Sequence, residues 1–236
     1  MIIIENVSKV FNKKWAVKDL NLRTEKGEIF GLLGPNGAGK TTTIKMMTGL
    51  LKPTEGRILI NGFDIVKEHL QVKSILGYVP DKAFLYEKLK GREFLTFVAS
   101  IHRIEKFSAT QKIDKLLEIF GIKDVGDEII ESYSQGMRQR LLFSSALIHN
   151  PKVLLIDEPF VGLDPFGVIM IKEVIHKLRS EGVSIFLATH SLHIAEDLCD
   201  RVGLISNGSL ISIINKENFK TKGDLQKLFL EMTEKR

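Results

Sequence analysis

Runs of apolar residues along the chain predict a set of β-strands. The two uninterrupted runs, at 153–156 and 184–188, are typical of parallel strands that are covered on both faces. Asn207-Gly208 lies between two apolar stretches and predicts a tight hairpin. Shorter strands are predicted at 2–10, 16–23, 28–33, 57–60 and 75–79. The early strands among these are expected to form a small antiparallel β-layer.

Helical spacing replaces this strand pattern after about residue 85. Apolar residues recur every three or four positions in 94–101 and again in 113–120, and a third helix is predicted from Ser134 to about His149. Ser108 with Gln111 predicts a capping box for the second of these helices. Further helices are predicted between the two apolar runs and at 224–233.

These patterns together predict one α/β domain of residues 1–236. The core, 1–84 and 151–236, is expected to contain a mostly parallel sheet beside the N-terminal antiparallel β-layer. The helical subdomain, at about 85–150, is expected to be an insert between strands of that core.

A glycine-rich stretch follows the predicted strand 28–33 and leads into a predicted helix. It fits the pattern G-x-x-x-x-G-K-[ST], the Walker A motif or P-loop, from Gly34 to Thr41. The glycines allow backbone N–H groups to converge on phosphate oxygens, Lys40 can reach the β- and γ-phosphates, and the Thr41 hydroxyl can ligate Mg²⁺. The sequence therefore predicts a P-loop NTPase core that binds ATP through Gly34, Asn36, Gly37, Ala38, Gly39, Lys40, Thr41 and Thr42.

A second motif is formed by the end of the apolar run at 153–156. Asp157 and Glu158 follow that run at once and read as a Walker B motif. Asp157 is placed to hold Mg²⁺ directly or through water, and Glu158 is placed to polarise the water that attacks the γ-phosphate. The alternative is that these two acidic residues only mark the end of a strand, and the presence of a Walker A motif in the same chain argues against it.

Composition limits the other possibilities. The chain has 236 residues and a formal net charge of +5, but acidic residues interrupt the basic ones, which is weak evidence for nucleic-acid binding. The single cysteine, Cys199, allows no intrachain disulfide. No signal peptide is expected, and no apolar run approaches the roughly 20 residues that span a bilayer. A role at a membrane would therefore depend on a partner.

The segment Ser132 to Arg140 resembles the signature sequence of the ATP-binding cassette (ABC) ATPases, whose usual form is LSGGQ followed by a basic helix. Ser134 and Gly136 match its serine and its second glycine, whereas Tyr133, Gln135 and Met137 depart from the commonest form. The matching pair can offer a hydroxyl and a backbone N–H to a phosphate at a helix N-terminus. Taken alone, Ser134 is simply a good helix N-cap.

The resemblance implies roles for four further residues. Asp164 lies in a segment, 161–165, that looks like the D-loop, and His190 looks like the switch histidine that contacts the γ-phosphate. Phe11 falls where the family has an aromatic that stacks on adenine, with Trp15 as an alternative. Asp81 stands where the family usually has Gln, so it either ligates Mg²⁺ or caps the following loop.

The resemblance covers nearly the whole chain and implies an ATP-hydrolysing subunit of an ABC transporter, similar to bacterial multidrug and sodium exporter subunits. It implies ATP and Mg²⁺ as cofactors, a separate transmembrane permease as partner, and a position on the cytoplasmic face of the cell membrane. No nucleic-acid partner is expected. A soluble ABC ATPase that acts on nucleic acid or ribosomes, and a regulatory module without turnover, are the alternatives.

Two contact surfaces are also expected. By resemblance, the phosphate loop and Ser134 meet on one ATP only across two ATP-binding subunits, in a head-to-tail homodimer or heterodimer. The apolar residues Phe84, Leu85 and Tyr86 lie in a predicted loop. They are expected either to line a groove for a cytoplasmic helix of the permease or to fold back onto the helical insert.

Overall fold

Ten strands and eight helices are found in a computed structural model that describes residues 1–82, 84–160, 162–219, 221 and 223–234. The strands are β1 (Ile2–Phe11), β2 (Lys14–Arg23), β3 (Ile29–Leu33), β4 (Glu55–Ile60), β5 (Phe63–Asp64), β6 (Leu76–Val79), β7 (Val153–Asp157), β8 (Ser184–Thr189), β9 (Arg201–Ser206) and β10 (Ser209–Asn215). The helices are α1 (Lys40–Met47), α2 (His69–Ile75), α3 (Gly91–Ile101), α4 (Lys106–Ile119), α5 (Gln135–Leu147), α6 (Pro165–Ser180), α7 (Leu192–Leu198) and α8 (Asp224–Glu234).

The strands form two sheets. The larger sheet has the order β10-β9-β3-β8-β7-β6, and every neighbouring pair is parallel except the β9–β10 hairpin. The smaller sheet has the order β2-β1-β4-β5 and is antiparallel throughout. Strands β3, β7 and β8 are buried along their whole length, as their apolar runs predict. The predicted α/β class, with a mostly parallel sheet and an antiparallel layer, is confirmed.

Apolar side chains pack on both faces of the larger sheet. One cluster joins that sheet to α1 and the antiparallel layer, and it includes the stacked rings of Phe30 and Phe186, whose centroids lie 5.6 Å apart. The other cluster joins the opposite face to the helices of the insert, where Phe120 packs on Phe143. The insert therefore shares one continuous core with the sheet, and the boundaries drawn at 84/85 and 150/151 stay a prediction.

Some local predictions differ from the structure. The predicted capping box at Ser108 and Gln111 is wrong, because α4 begins at Lys106 and the carboxylate of Glu105 caps it by accepting from the N–H groups of Phe107 and Ser108 at 3.0 Å. The short helices α2 and α7 were not predicted, since seven residues are too few to show an amphipathic period. No helix in the described ranges is long and apolar enough to span a membrane.

Candidate active site

The glycine-rich loop between β3 and α1 has the backbone that its sequence predicts. A Cβ atom on Gly34 would lie 2.2 Å from the carbonyl oxygen of Ile205, so a side chain cannot be accommodated there. Gly39 has φ +106°, and its Cβ would lie 2.6 Å from the carbonyl oxygen of Ala16. The loop consequently leads into the N-terminus of α1, where N–H groups lack partners within the helix.

The loop borders a cavity of about 180 Å³. Most of the residues predicted to bind ATP or Mg²⁺ through this loop line this cavity, together with two of the three acidic residues predicted for the site. The lining consists of Ala16, Asn36, Gly37, Gly39, Lys40, Thr41, Thr42, Asp81 and Glu158. The structure thus brings together residues that are more than 120 positions apart in the sequence.

Lys40 is nearly buried at the edge of this cavity. Its ammonium donates hydrogen bonds to the carbonyl oxygens of Gly34 at 2.8 Å and Pro35 at 3.2 Å. Its Nζ also lies 3.6 Å from Oε1 of Glu158. The side chain is therefore held over the loop, with its charge compensated by one carboxylate and two backbone dipoles.

Glu158 is held in place from several sides. Its Oε1 lies 2.9 Å from Nδ1 of His190, and its Oε2 accepts a hydrogen bond from the Thr189 hydroxyl at 3.1 Å. The backbone of Glu158 has φ +47°, a left-handed conformation that costs a non-glycine residue about 1–2 kcal/mol. This arrangement fixes the direction of the carboxylate, as a group that must orient a water molecule requires.

Sequence reasoning identified His190 but gave no role to Thr189. The parallel register of β7 and β8 places Asp157 opposite Ala188, so the next residue on each strand, Glu158 and Thr189, lie side by side. The only signal for Thr189 in the sequence was its place at the end of a predicted strand, since the structure alone shows that this strand neighbours the Walker B strand.

Asp157 is completely buried, and neither of its carboxylate oxygens has a hydrogen-bond partner within the described part of the chain. Burial raises the pKa of Asp157 to about 6, and the charges of Asp81 and Glu158 also raise it. The Thr41 hydroxyl and Lys40 oppose this shift, although the hydroxyl forms no hydrogen bond of ordinary geometry with the carboxylate. A divalent cation bound at this carboxylate would give its two buried oxygens the partner that they lack.

Asp81 lies at the carboxyl end of β6, on the same cavity. Its charge and that of Asp157 add to the burial that raises the pKa of Tyr78 to about 12, so the two carboxylates lie on the same side of the site. No cluster of three or more His, Cys, Asp or Glu ligands is preformed among the described residues. This set fits Mg²⁺, which keeps several waters and usually takes one or two carboxylates together with phosphate oxygens.

The signature segment lies outside this cavity. Ser134 is the exposed N-cap of α5, where its hydroxyl accepts from the N–H of Met137 at 3.2 Å, and Gly136 follows in the first turn. Tyr133, a departure from the commonest signature, is buried and donates its hydroxyl to the carbonyl oxygen of Val125 at 2.6 Å. Tyr133 therefore anchors the signature segment to the rest of the helical insert.

Two residues of α5 connect the signature segment to the chain that follows β7. Gln139 is buried and donates to the carbonyl oxygen of Pro159 at 3.3 Å, and Arg140 forms an ion pair of 3.2 Å with Asp164. Asp164 is also the N-cap of α6, accepting from the N–H of Gly167 at 2.9 Å. Sequence reasoning missed Gln139 and Arg140. Val161, in the predicted D-loop, lies outside the described residues.

Phe11 and its alternative Trp15 are the two aromatic residues predicted to stack on adenine. Phe11 lies at the tip of the β1–β2 hairpin, partly exposed, with the Lys9 ammonium 5.2 Å from its ring centroid. Trp15 is exposed to a similar degree on β2. The structure places neither ring in the cavity lining, where this hairpin contributes Ala16 instead.

Known proteins resemble this chain in sequence and in fold. The sequence model described as "ABC transporter" matches residues 17–161. The linearmycin resistance ATP-binding protein LnrL of Bacillus subtilis is 38% identical over 216 residues, which cover 92% of this chain and 70% of LnrL. The bacitracin transport ATP-binding protein BcrA of Bacillus licheniformis is 38% identical over 218 residues, with the same two coverages.

A solved structure, described as the ATP-binding subunit of an ABC transporter, superimposes with a TM-score of 0.90 at 29% sequence identity and covers 99% of both chains. The fold and the phosphate loop define a P-loop ATPase. The chain belongs to the ABC transporter family. It is an ATP-binding ATPase component of such a transporter.

Proposed function

We propose that this chain hydrolyses Mg²⁺-bound ATP to power a permease carried by a separate chain, and that the transporter is an exporter. The observation that carries the proposal is the buried, unpaired carboxylate of Asp157 beside Lys40 and the fixed carboxylate of Glu158. LnrL is named for linearmycin resistance and BcrA for bacitracin transport, which supports export of a toxic small molecule.

The residues of the cavity divide the chemistry among them. Lys40 and the N–H groups at the start of α1 bind the phosphates. Glu158 accepts a proton from the water that attacks the γ-phosphorus, and Thr189 and His190 keep its carboxylate aimed at that water. His190 also contacts the γ-phosphate. Thr41, Asp81 and Asp157 would hold Mg²⁺, which offsets phosphate charge when it is bound.

A second ATP-binding subunit completes the site. Ser134 and Gly136 do not line the cavity of their own chain, and Ser134 is exposed at a helix N-terminus, ready for a phosphate held by another subunit. Close to Asp164, α6 exposes Phe166 (81%) and Ile169 (56%), which is unusual for apolar residues on one helix face unless a partner covers them. We infer a head-to-tail pair in which Asp164 lies at the interface.

The permease is proposed to dock on the aromatic surface formed by Phe84, Tyr86 and Phe97. Leu85 packs against the core of the insert, and the Tyr86 ring contacts Phe97 edge-on with centroids 5.6 Å apart. Phe84 is 87% exposed. The packing of Leu85 supports the alternative in which the loop folds back onto the insert, and the exposure of Phe84 supports contact with a partner helix. Docking there would hold the chain at the cytoplasmic face of the membrane.

Purification of the tagged native protein from detergent-solubilised membranes tests this proposal. We expect a polytopic membrane protein to co-purify with the wild type and with Phe107→Asp, a matched control at an exposed aromatic of α4. Phe84→Asp should lose that partner and transport, while it keeps the wild-type circular dichroism spectrum and basal ATPase rate. Recovery of ribosomes or nucleic acid, and no membrane protein, would contradict the proposal.

A further inference from the structure

A groove of about 840 Å³ lies at the end of the molecule opposite the ATP site. Lys152 and Ser184 line it, just before or at the start of β7 and β8, whereas Asp157 and His190 lie at the other ends of these strands. Five or six residues at about 3.3 Å each separate the two ends by roughly 17–20 Å. A molecule in this groove therefore cannot touch ATP.

The rim of the groove is strongly basic. It carries one acidic side chain, that of Glu181, against five lysines, which makes a net charge of +4 in a chain whose total is +5. The lysines are Lys26, Lys112, Lys115, Lys152 and Lys177. Within the described ranges none of them forms an ion pair; Lys112 alone has a neutral acceptor, the carbonyl oxygen of Ile148 at 3.4 Å. Four ammonium groups are thus available to an acidic partner.

The floor of the groove is apolar and only partly covered. Leu116 and Ile119 project from α4, and Val174 and Leu178 project from α6, with each side chain retaining some exposure. Apolar side chains of a partner would remove this surface from water, and acidic side chains beside them would meet the lysines.

The walls belong to elements that also carry the active site. Helix α5 starts after Ser134 and ends at the groove with Leu147, and α6 starts after Asp164 and reaches it with Lys177 and Leu178. Strands β7 and β8 connect the groove to Asp157 and His190 in the same way. A molecule bound in the groove would consequently contact α5, α6, β7 and β8 at the ends that lie away from the ATP site. It would also contact α4 and so connect the helical insert to the catalytic core.

We propose that this groove binds an amphipathic helix of a partner protein, with apolar residues on one face and acidic residues flanking them. A concave apolar floor between basic walls matches such a helix, which presents anchors at i, i+3, i+4 and i+7. A flat anionic lipid surface could reach the lysines of the rim but would leave the recessed floor uncovered.

The probe is a fluorescein-labelled, 18-residue synthetic helix with leucines at i, i+3, i+4 and i+7 and glutamates beside them. Its binding is measured by fluorescence anisotropy, against a peptide with lysine at every glutamate position and a scrambled acidic peptide. We expect the acidic amphipathic peptide to bind more tightly than both, and its affinity to fall at high salt.

Variants locate the site. Lys115→Glu with Lys177→Glu should weaken binding by about tenfold or more, because two attractive contacts become repulsive. The matched control, Lys73→Glu with Lys227→Glu, makes the same charge change at exposed lysines elsewhere and should bind as the wild type does. Ile119→Asp should also weaken binding, and all of these variants should keep the basal ATPase rate.

Three results would overturn the proposal. The first is equal affinity for the acidic, basic and scrambled peptides. The second is equal loss of binding in the groove variants and in the control variant. The third is binding to phosphatidylglycerol vesicles that depends on Lys115 and Lys177 while the peptide does not bind, which would make the groove rim a lipid-binding surface instead.

Discussion

Lys40 and His190 share one oxygen atom of Glu158: Oε1 lies 3.6 Å from Nζ of the lysine and 2.9 Å from Nδ1 of the histidine. The Lys40 ammonium, which a bound phosphate would contact, is therefore already paired with the carboxylate of Glu158, the proposed base. A phosphate at the loop competes with Glu158 for Lys40. When Lys40 turns to the phosphate, the Glu158 carboxylate gives up one cationic contact.

We expect Asp81 to act as a Mg²⁺ ligand, because it lines the cavity together with Lys40, Thr41 and Glu158. Asp81→Ala should raise the Mg²⁺ concentration needed for half-maximal ATP hydrolysis, by about tenfold if a direct ligand is lost. Asp81→Gln should be tolerated, because it restores the residue usual in the family. A Mg²⁺ titration of the ATPase rate decides; an unchanged requirement in the alanine variant would remove Asp81 from the metal site.

A pair of stacked histidines in the insert, one of which contacts β6, predicts acid sensitivity. His149 stacks on His102 with ring centroids 3.8 Å apart, and its Nε2 lies 3.1 Å from the carbonyl oxygen of Leu76, so the Nε2–H group donates. Burial, together with the charges of His102 and Lys112, lowers the pKa of His149 to about 4, although the hydrogen bond to Leu76 opposes this shift. Below about pH 6.5 the unfolded chain binds a proton that the folded chain excludes, so the free energy of unfolding should fall between pH 6.5 and 4.

Urea unfolding of the wild type and His149→Gln at pH 7 and pH 4.5 measures this loss. The glutamine can still donate to the carbonyl of Leu76 but does not titrate. After allowance for the partial exposure of the ring, the wild type should lose about 1–2 kcal/mol more than the variant on acidification. Equal losses in both proteins would show that His149 titrates normally in the folded state.

A mixing experiment tests the shared site between two subunits. Lys40→Ala removes a charge-assisted contact with the phosphates of ATP. Ser134→Arg blocks the contact of Ser134 with the ATP that the other subunit binds. Each variant should therefore be inactive alone. In a mixed dimer one site carries both defects and the other carries neither. Equal mixing should therefore restore roughly a quarter of the wild-type ATPase rate, if one intact site turns over by itself.

The pairing itself is followed with two different affinity tags. Added salt should help the free subunits to associate, because each chain carries a formal net charge of +5. A mixed dimer that forms and binds ATP at one site, yet never traps the nucleotide between its subunits, would be incompatible with the shared site.

The sequence predicted the elements that carry long uniform patterns. Strands β7 and β8 and the loop from Gly34 to Thr41 could be located because uninterrupted apolar runs and a spaced glycine motif leave few alternatives. The start of α4 was misplaced, because the hydroxyl of Ser108 and the carboxylate of Glu105 are both possible caps, and the sequence alone does not show which of them the first N–H groups of the helix will contact.

Long-range contacts were beyond such reasoning. Thr189 joins Glu158 only because of the register between two parallel strands, and Gln139 reaches the carbonyl of Pro159 only because α5 packs beside the segment after β7. The basic groove could not be predicted at all, since its lysines come from four separate segments of the chain that have no common sequence pattern.

The most direct test of the account is the effect of Glu158→Gln on ATP binding and on turnover. The amide has the shape of the carboxylate but is not a base, and it no longer competes as an anion for Lys40. We expect an ATP dissociation constant equal to or lower than that of the wild type, and a kcat reduced by about 10²–10⁴-fold, while the control Glu173→Gln on the exposed face of α6 keeps both values. Hydrolysis by Glu158→Gln at a near wild-type rate would contradict the role of Glu158 as the base.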